Sequence, residues 1–215
     1  GYAHLTMAPY ERLSMTDEDL VCATAAPGSQ KWVWSPFLSI LGTGATAFVY
    51  NGRFQPETYL ELLQDYQINV LCCTPTEYRM MAKLSNLNDY HLELLHSAVS
   101  AGEPLNREVV EQFKNNFNLT VRDGYGQTES TLLIGFLKDT EPRPGSMGKG
   151  IPGSFVTIID DDGNEVPPQT KGNIAVPLDL PALFKGYYKD EERTKAAAAG
   201  YYYVTGDLAH KEDDG

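Results

Sequence analysis

The chain reads INVLCC at residues 68–73, an uncharged apolar run that lies between two segments of different periodicity. Before this run, residues 56–66 begin with a proline and place Tyr59 and Leu63 at helical spacing. After it, residues 75–84 begin with another proline and predict a second helix. A continuous apolar run between amphipathic helices is typical of a strand that is buried on both faces of a parallel sheet.

The same alternation continues in both directions along the chain. Toward the N-terminus, residues 33–41 predict a buried helix and residues 45–50 a buried strand. Toward the C-terminus, a short strand is predicted at residues 97–100, a helix capped by Asn106 extends to about residue 115, and a further strand follows at residues 119–122. The pattern therefore predicts an α/β fold with a mostly parallel sheet flanked by helices.

Beyond about residue 138 the chain changes to short apolar runs punctuated by proline and glycine. Two short strands are expected on either side of a turn at residues 161–164; these strands are residues 155–159 and 173–176. We expect residues 1–137 to form an α/β subdomain and residues 138–215 a smaller β-rich subdomain.

Composition limits the classes of protein that are possible. The 215 residues are 42% hydrophobic, which is enough for a substantial core. The formal charge of −12 disfavours binding to nucleic acid or to an anionic membrane surface, and no run approaches the roughly 20 apolar residues of a membrane span. The odd number of cysteines, three, is typical of a reduced cytoplasmic protein.

Two glycine-bearing segments that directly follow predicted strands are predicted to be strand-to-helix turns. Ligands of such sheets bind beyond the carboxyl ends of the strands. The first reads SAGEPL at residues 100–105, where Gly102 permits close backbone approach to a flat ligand and Pro104 stiffens the turn. By itself this composition is also that of an ordinary turn.

The second segment reads DGYGQTES at residues 123–130 and suits a nucleotide. Tyr125 can offer a ring face to a purine, and Thr128 can donate to a phosphate oxygen. Glu129 can ligate magnesium, which favours carboxylates together with substrate phosphates. The spacing alone also fits a tight glycine-rich turn in which Tyr125 caps the core and Glu129 faces solvent.

Four motifs in this order resemble the adenylating superfamily of acyl-CoA synthetases, luciferases and peptide-synthetase adenylation domains. They are GEP at residues 102–104, YGQTE at 125–129, FKGYY at 184–188 and YVTGD at 203–207. The resemblance covers essentially the whole chain and is closest to medium-chain acyl-CoA synthetases. It implies an AMP-forming acid–thiol ligase that uses ATP, magnesium, coenzyme A and a small carboxylic acid.

The resemblance also implies roles for individual residues. Tyr125 would stack on the adenine, and Asp207 would hold the ribose hydroxyls, as one carboxylate can accept from both hydroxyls of a diol. Thr128 would contact phosphate and Glu129 would bind magnesium. The remaining residues implied at the nucleotide are Gly102, Glu103, Pro104, Asp123, Gly124, Gly126 and Gln127.

The acyl group is expected near Trp32, Trp34, Ala101 and Gly126. Acetate-specific relatives carry a tryptophan at the position of Gly126, which closes their pocket over a short acid. The missing side chain at Gly126 therefore suggests an acid longer than acetate.

Departures from the family pattern leave alternatives open. The Ser/Thr/Gly-rich phosphate loop of the family does not precede Tyr2, and the C-terminal catalytic lysine does not follow Gly215. We therefore expect an internal piece of the large N-terminal domain with little activity alone. An adenylation domain that loads a carrier protein, a luciferase-like oxidase and a non-catalytic nucleotide-binding module fit the same motifs.

Overall fold

The computed structural model describes residues 14–25, 38–137, 140–143 and 145–214. Its largest sheet contains five strands, which are β1 (Leu20–Ala23), β2 (Thr46–Phe48), β3 (Val70–Cys73), β4 (Ser97–Ser100) and β5 (Val121–Arg122). All neighbours are parallel and the spatial order is β2-β1-β3-β4-β5. The predicted α/β class with a mostly parallel sheet is confirmed.

Among the described residues, four α-helices accompany this sheet: α1 (Ser39–Thr43), α2 (Pro56–Asp65), α3 (Pro75–Ala82) and α4 (Arg107–Phe117). A proline occupies the first turn of α2 and of α3, where a missing N–H costs no hydrogen bond. Thr74 and Glu77 form a reciprocal capping box at the start of α3. Asn106 occupies the cap position of α4, but its side chain makes no capping hydrogen bond.

The side chains of β3 explain why residues 68–73 carry no charge. Val70 and Cys72 pack into one hydrophobic cluster, whereas Leu71 and Cys73 pack into another. Alternate residues of a strand point to opposite faces, so these two clusters cover the two faces of the sheet. The face of Leu71 is the more extensively covered, since α2, α3 and α4 all contribute buried residues to its cluster.

In the N-terminal part, one expectation differs from the structure and another can be compared only in part. The strand predicted as buried at residues 45–50 is β2, which lies at the edge of the sheet and has mostly exposed residues. An edge strand has a neighbour on one side only, so its apolar residues need not be covered. Of the helix predicted at residues 33–41, α1 forms the described part, and residues 33–37 lie outside the described residues.

The described residues from 124 onward contain two antiparallel sheets. The first contains β6 (Gly124–Gln127), β7 (Thr131–Gly135) and β8 (Lys149–Gly150). The second contains β9 (Thr157–Ile159), β10 (Gly172–Pro177), β11 (Ala198–Ala199) and β12 (Tyr202–Ala209), in the order β11-β12-β10-β9, with the short helix α5 (Glu191–Ala196) before β11. The strands expected at residues 155–159 and 173–176 are confirmed as β9 and β10.

The division between residues 137 and 138 crosses a strand pair. β7 lies before that point, β8 lies after it, and the two are hydrogen-bonded. One hydrophobic cluster likewise combines Leu133 and Ile134 of β7 with Ile158 of β9 and Ile174 of β10. The boundary between 1–137 and 138–215 therefore stays a prediction.

The three cysteines are buried thiols within the parallel sheet. Burial raises the pKa of Cys22 to about 12, with smaller contributions from Cys72 and Glu77. The thiolate is the reactive form of cysteine, so Cys22 is an unreactive core residue. Within the described ranges, no helix combines the length and the apolar character that crossing a membrane requires.

Because three helices cover one face of the sheet, a cavity on that face should lower the free energy of unfolding. Leu71 is fully buried, so Leu71→Ala should lower the free energy of unfolding by about 2–5 kcal/mol through lost burial and a residual cavity. Leu41→Ala is the matched control, because Leu41 is 67% exposed and should change stability by about 0.5 kcal/mol or less. Equal effects in urea denaturation would contradict the assignment of β3 to the core.

Candidate functional site

The first glycine-bearing segment is a turn between β4 and α4, as predicted. Gly102 has a φ of +104°, a conformation that residues with a side chain rarely adopt, and nothing lies within 4 Å of a Cβ placed there. Glu103 turns toward α3, where its Oε2 accepts hydrogen bonds from the Thr76 hydroxyl at 2.7 Å and from Arg79 at 3.0 Å. The turn is therefore fixed by a neighbouring helix, and its glycine faces open space.

Asp123 joins this turn to the second segment. Its Oδ2 accepts from the backbone N–H of Leu105 at 3.3 Å, and its Oδ1 accepts from the backbone N–H of Gly124 at 2.9 Å. Because β4 and β5 are adjacent parallel strands, their carboxyl ends meet at one edge of the sheet. A single carboxylate thus sets the spacing of the two segments at that edge.

The second segment is a β-hairpin and not the strand-to-helix turn that was predicted. Gly124–Gln127 forms β6, Thr128 and Glu129 lie in the following turn, and Thr131–Gly135 returns as β7. Gly124 and Gly126 resemble the glycines of a loop, but both lie inside a strand, and close backbone pairing requires the second of them. The hairpin places Thr128 and Glu129 at its tip.

Gly126 is needed for the pairing of this hairpin. A Cβ at Gly126 would lie 1.9 Å from the carbonyl oxygen of Thr131, at a register shift between β6 and β7. Thr131 itself has a φ of +66°, which is strained for a β-branched residue. A side chain at Gly126 would therefore have to displace the backbone of Thr131, and the expected preference for an acid longer than acetate stays a prediction.

Tyr125 and Asp207, which are 82 residues apart in sequence, are directly bonded. The Tyr125 hydroxyl donates to Asp207 Oδ2 at 2.5 Å, and the Gln127 side-chain amide donates to the same oxygen at 2.9 Å. The Gln127 amide also donates to the backbone carbonyl of Thr205, and its own oxygen accepts from the Tyr203 hydroxyl, both at 2.9 Å. The first antiparallel sheet is thereby connected to the second by side chains.

A bulge in β12 presents Asp207 to this network. The pairing of β10 with β12 shifts register between Asn173 and Ala175, and Gly206 on the facing strand has a φ of +81°. An irregularity of this kind redirects the following side chain. The Asp207 Oδ1 atom accepts no hydrogen bond from the described residues, so it is available to a diol.

Glu129 is held in a similar way at the hairpin tip. Its backbone carbonyl accepts from the N–H of Phe184 at 2.7 Å, and its Oε1 accepts from the Tyr187 hydroxyl at 2.8 Å. The described part of the chain provides no partner for Oε2. Thr128 is exposed beside it, and its hydroxyl likewise bonds to none of the described residues.

The tyrosines of the network have raised pKa values. For Tyr125 the largest cause is burial, followed by its hydrogen bond to Asp207. The pKa of Tyr203 is raised first by burial and then by the charge of Glu129, and that of Tyr187 by burial and its hydrogen bond to Glu129. These phenols therefore remain neutral hydrogen-bond donors around neutral pH.

The structure brings only part of the predicted set into direct contact. Tyr125 and Gln127 are both bonded to Asp207, whereas the Glu103 carboxylate makes its hydrogen bonds with Thr76 and Arg79. Ala101 is half-buried directly after β4. Trp32 and Trp34, predicted near the acyl group, lie outside the described residues.

Sequence reasoning assigned no role to Tyr187 or Tyr203. Both lie inside motifs quoted above, but only the fold shows that Tyr203 reaches Gln127 and Tyr187 reaches Glu129. The sequence signal available was the repeated tyrosine within these motifs, which by itself is equally typical of core packing.

Chemically, the site offers two carboxylates, each with one oxygen held by a phenol and one oxygen available. The described ranges contain no cluster of three or more side chains that could enclose a metal ion. Magnesium often binds through one or two carboxylates together with substrate phosphates, and Glu129 with the exposed Thr128 hydroxyl fits that requirement.

Comparison with known proteins gives consistent results. The sequence profile of the family described as AMP-binding enzyme matches residues 2–188. A Bacillus subtilis protein named uncharacterized acyl-CoA ligase YtcI is 60% identical over 215 residues, which are 100% of this chain and 41% of that protein. Human acyl-coenzyme A synthetase ACSM3, mitochondrial, is 36% identical over 208 residues, which are 94% of this chain and 35% of that protein.

A solved structure shows the same fold. The crystal structure of a Brucella canis acyl-CoA synthetase superposes with a TM-score of 0.88 at 28% identity, and the match covers 100% of this chain and 40% of that chain. The chain thus spans less than half the length of the curated relatives described above.

The raised pKa of Tyr125 predicts its behaviour in a spectrophotometric titration of the phenols. In the native protein, Tyr125→Phe should leave the tyrosinate absorbance that develops near pH 10 unchanged, because the Tyr125 phenol ionises only above its usual value of 10.0. The stabilising contribution of the neutral phenol is present below pH 10 and is lost as pH rises through the higher folded-state pKa.

The same titration in concentrated urea is the control, since Tyr125 is then solvated and Tyr125→Phe should remove one phenol. Loss of a phenol titrating near pH 10 in the native variant would show that Tyr125 is solvated in the folded state.

Proposed function

Because the chain belongs to the AMP-binding enzyme family, we propose that it is part of an AMP-forming acyl-CoA synthetase and supplies that enzyme's adenosine and metal contacts. The reaction joins a carboxylate oxygen to the α-phosphorus of ATP and releases pyrophosphate. The thiol of coenzyme A then attacks the acyl carbonyl and releases AMP. The names of the relatives, acyl-CoA ligase and acyl-coenzyme A synthetase, support coenzyme A as the acceptor.

The bonded pair Tyr125 and Asp207 is the observation that carries this proposal. Its hydroxyl bond fixes the Tyr125 ring beside the carboxylate, so a purine stacked on the ring has its sugar near Asp207. Asp207 Oδ1 then accepts from the ribose hydroxyls, as acidic residues do in dinucleotide-binding folds. Gly102 and Pro104 border the adenine from the adjacent turn, which Asp123 ties to β6.

The hairpin tip serves the phosphates. Thr128 donates its hydroxyl to a phosphate oxygen, and Glu129 binds magnesium through Oε2 while Oε1 stays bonded to Tyr187. Magnesium held by Glu129 would supply neutralisation of the phosphate charge. Because adenylation brings two anions together, positioning and charge neutralisation supply most of the rate.

A cytoplasmic location is part of the same proposal. Its support is the state of the three cysteines, which are buried thiols in the structure. Thiols persist in reducing compartments, whereas secreted proteins usually form disulfides.

Substitution of Asp207 tests the proposed ribose contact in the full-length gene product. ATP–pyrophosphate exchange that depends on an added carboxylic acid should be present, and Asp207→Ala should raise KM for ATP at least about tenfold, since a hydrogen bond to a charged group contributes about 1.5–3 kcal/mol. Asp162→Ala, in an exposed turn, is the matched control and should leave KM unchanged. If no carboxylic acid in a broad panel supports exchange, the proposed reaction is wrong.

The charge of the site predicts the ligand preference of a polypeptide of these 215 residues alone. Its formal charge is −12, and Glu129 and Asp207 face the proposed phosphates and ribose. It should therefore bind an uncharged acyl-adenylate mimic more tightly than ATP, and it should have negligible synthetase activity. Calorimetry that gives equal or tighter binding of ATP would contradict this prediction.

A further inference from the structure

Glu129 is held at two points by one segment that lies far from it in sequence. The N–H of Phe184 donates to the backbone carbonyl of Glu129, and the hydroxyl of Tyr187 donates to its carboxylate, 58 residues away. The first bond fixes where the residue sits, and the second fixes how its carboxylate is turned. A carboxylate at an exposed hairpin tip would otherwise sample several rotamers.

Tyr187 is in turn fixed by the short helix α5. The guanidinium of Arg193 lies over the Tyr187 ring, 3.9 Å from its centroid. The hydroxyl of Thr194 accepts from the N–H of Tyr187 at 2.9 Å and donates to the carbonyl of Asp190 at 2.8 Å. Gly186, with a φ of +127°, permits this approach, because a Cβ there would lie 3.0 Å from Thr194. Helix α5 has no buried residue, so its ordered contacts with Tyr187 do not serve the hydrophobic core.

Packing alone does not explain the hydroxyl of Tyr187. Its ring contacts Phe184 at 4.9 Å between centroids, and a phenylalanine would make that contact equally well. The neighbouring Tyr188 is 88% exposed, so tyrosine in this segment does not by itself imply a buried partner. The hydroxyl of Tyr187 is used for the carboxylate of Glu129.

The donor that contacts Glu129 is neutral. No salt bridge involves Glu129 in the described part of the chain, and the charge of Arg193 is applied to the face of the Tyr187 ring. A lysine or arginine bonded directly to the carboxylate would compete with a divalent cation for its charge. A neutral phenol orients the carboxylate without compensating its negative charge, which stays available to an incoming cation.

We propose that Tyr187, clamped by Arg193 and Thr194, is a positioning residue that aims the Oε2 atom of Glu129 at the metal bound with ATP. This inference rests on the proposed function, in which Glu129 is the magnesium ligand. Partners that orient a metal-binding side chain typically change metal affinity about 10–100-fold when they are removed.

The test measures the affinity of the full-length gene product for ATP by calorimetry, once with magnesium and once with EDTA. The ratio of the two affinities is the gain due to the metal. Tyr187→Phe should lower this gain about tenfold and leave the affinity in EDTA unchanged, a split that a merely structural role would not produce. Arg193→Ala, which keeps the hydroxyl but removes the clamp, should lower the gain in the same direction.

Two further variants complete the experiment. Tyr188→Phe is the matched control and should keep the full gain, whereas Glu129→Gln should lose it.

If Glu129→Gln loses the gain and Tyr187→Phe keeps it, the positioning role is wrong and the proposed function stands. If Tyr187→Phe weakens ATP equally with and without magnesium, its role is structural and the inference is also wrong. If Glu129→Gln keeps the gain, Glu129 is not the metal ligand, so this inference and the metal contact in the proposed function are both wrong, while the proposed reaction is decided separately by the exchange assay.

Discussion

Burial of both faces of the parallel sheet is the constraint on which the position of the site depends. Helices pack on one face and a second cluster covers the other, as parallel sheets require, and because all five strands run in one direction their carboxyl ends meet at one edge. Cys73 lies opposite Ser100, and Val99 lies opposite Arg122. The segments that leave β3, β4 and β5 therefore emerge as neighbours, which lets Arg79 reach Glu103 and Asp123 reach Leu105.

The two antiparallel sheets bring distant residues to that edge, and the same type of hydrogen bond occurs there twice. The hydroxyl of Tyr125 donates to one carboxylate oxygen of Asp207, and the hydroxyl of Tyr187 donates to one carboxylate oxygen of Glu129. Phenols with raised pKa values stay neutral, so both carboxylates are oriented without being neutralised by a fixed cation. Hydroxyl groups and cations of a ligand are the natural partners of the remaining oxygens. The net negative charge of the chain is thus also found at the site, in the carboxylates of Asp207 and Glu129.

The sequence was informative where local periodicity determines structure. The helices α2, α3 and α4 and the buried strand β3 follow directly from apolar spacing and proline positions, and the parallel sheet follows from their alternation. The hairpin of β6 and β7 was missed because its glycines permit a close strand pairing that only the partner strand reveals. The resemblance implied that Tyr125 and Asp207 contact the same nucleotide, but it did not imply their direct hydrogen bond. The contacts made by Tyr187 and Tyr203 likewise depend on residues far away in sequence, which no local pattern encodes.

The thiols inside the parallel sheet make its internal motions observable. Cys72 and Cys73 are adjacent in β3 but belong to the clusters on opposite faces. An alkylating reagent reaches each sulfur only when the layer that covers it opens locally. The rate of modification at each sulfur therefore reports the free energy of opening on that face of the sheet. The alkylation rates of two adjacent residues in one strand therefore measure the opening of the two covering layers separately.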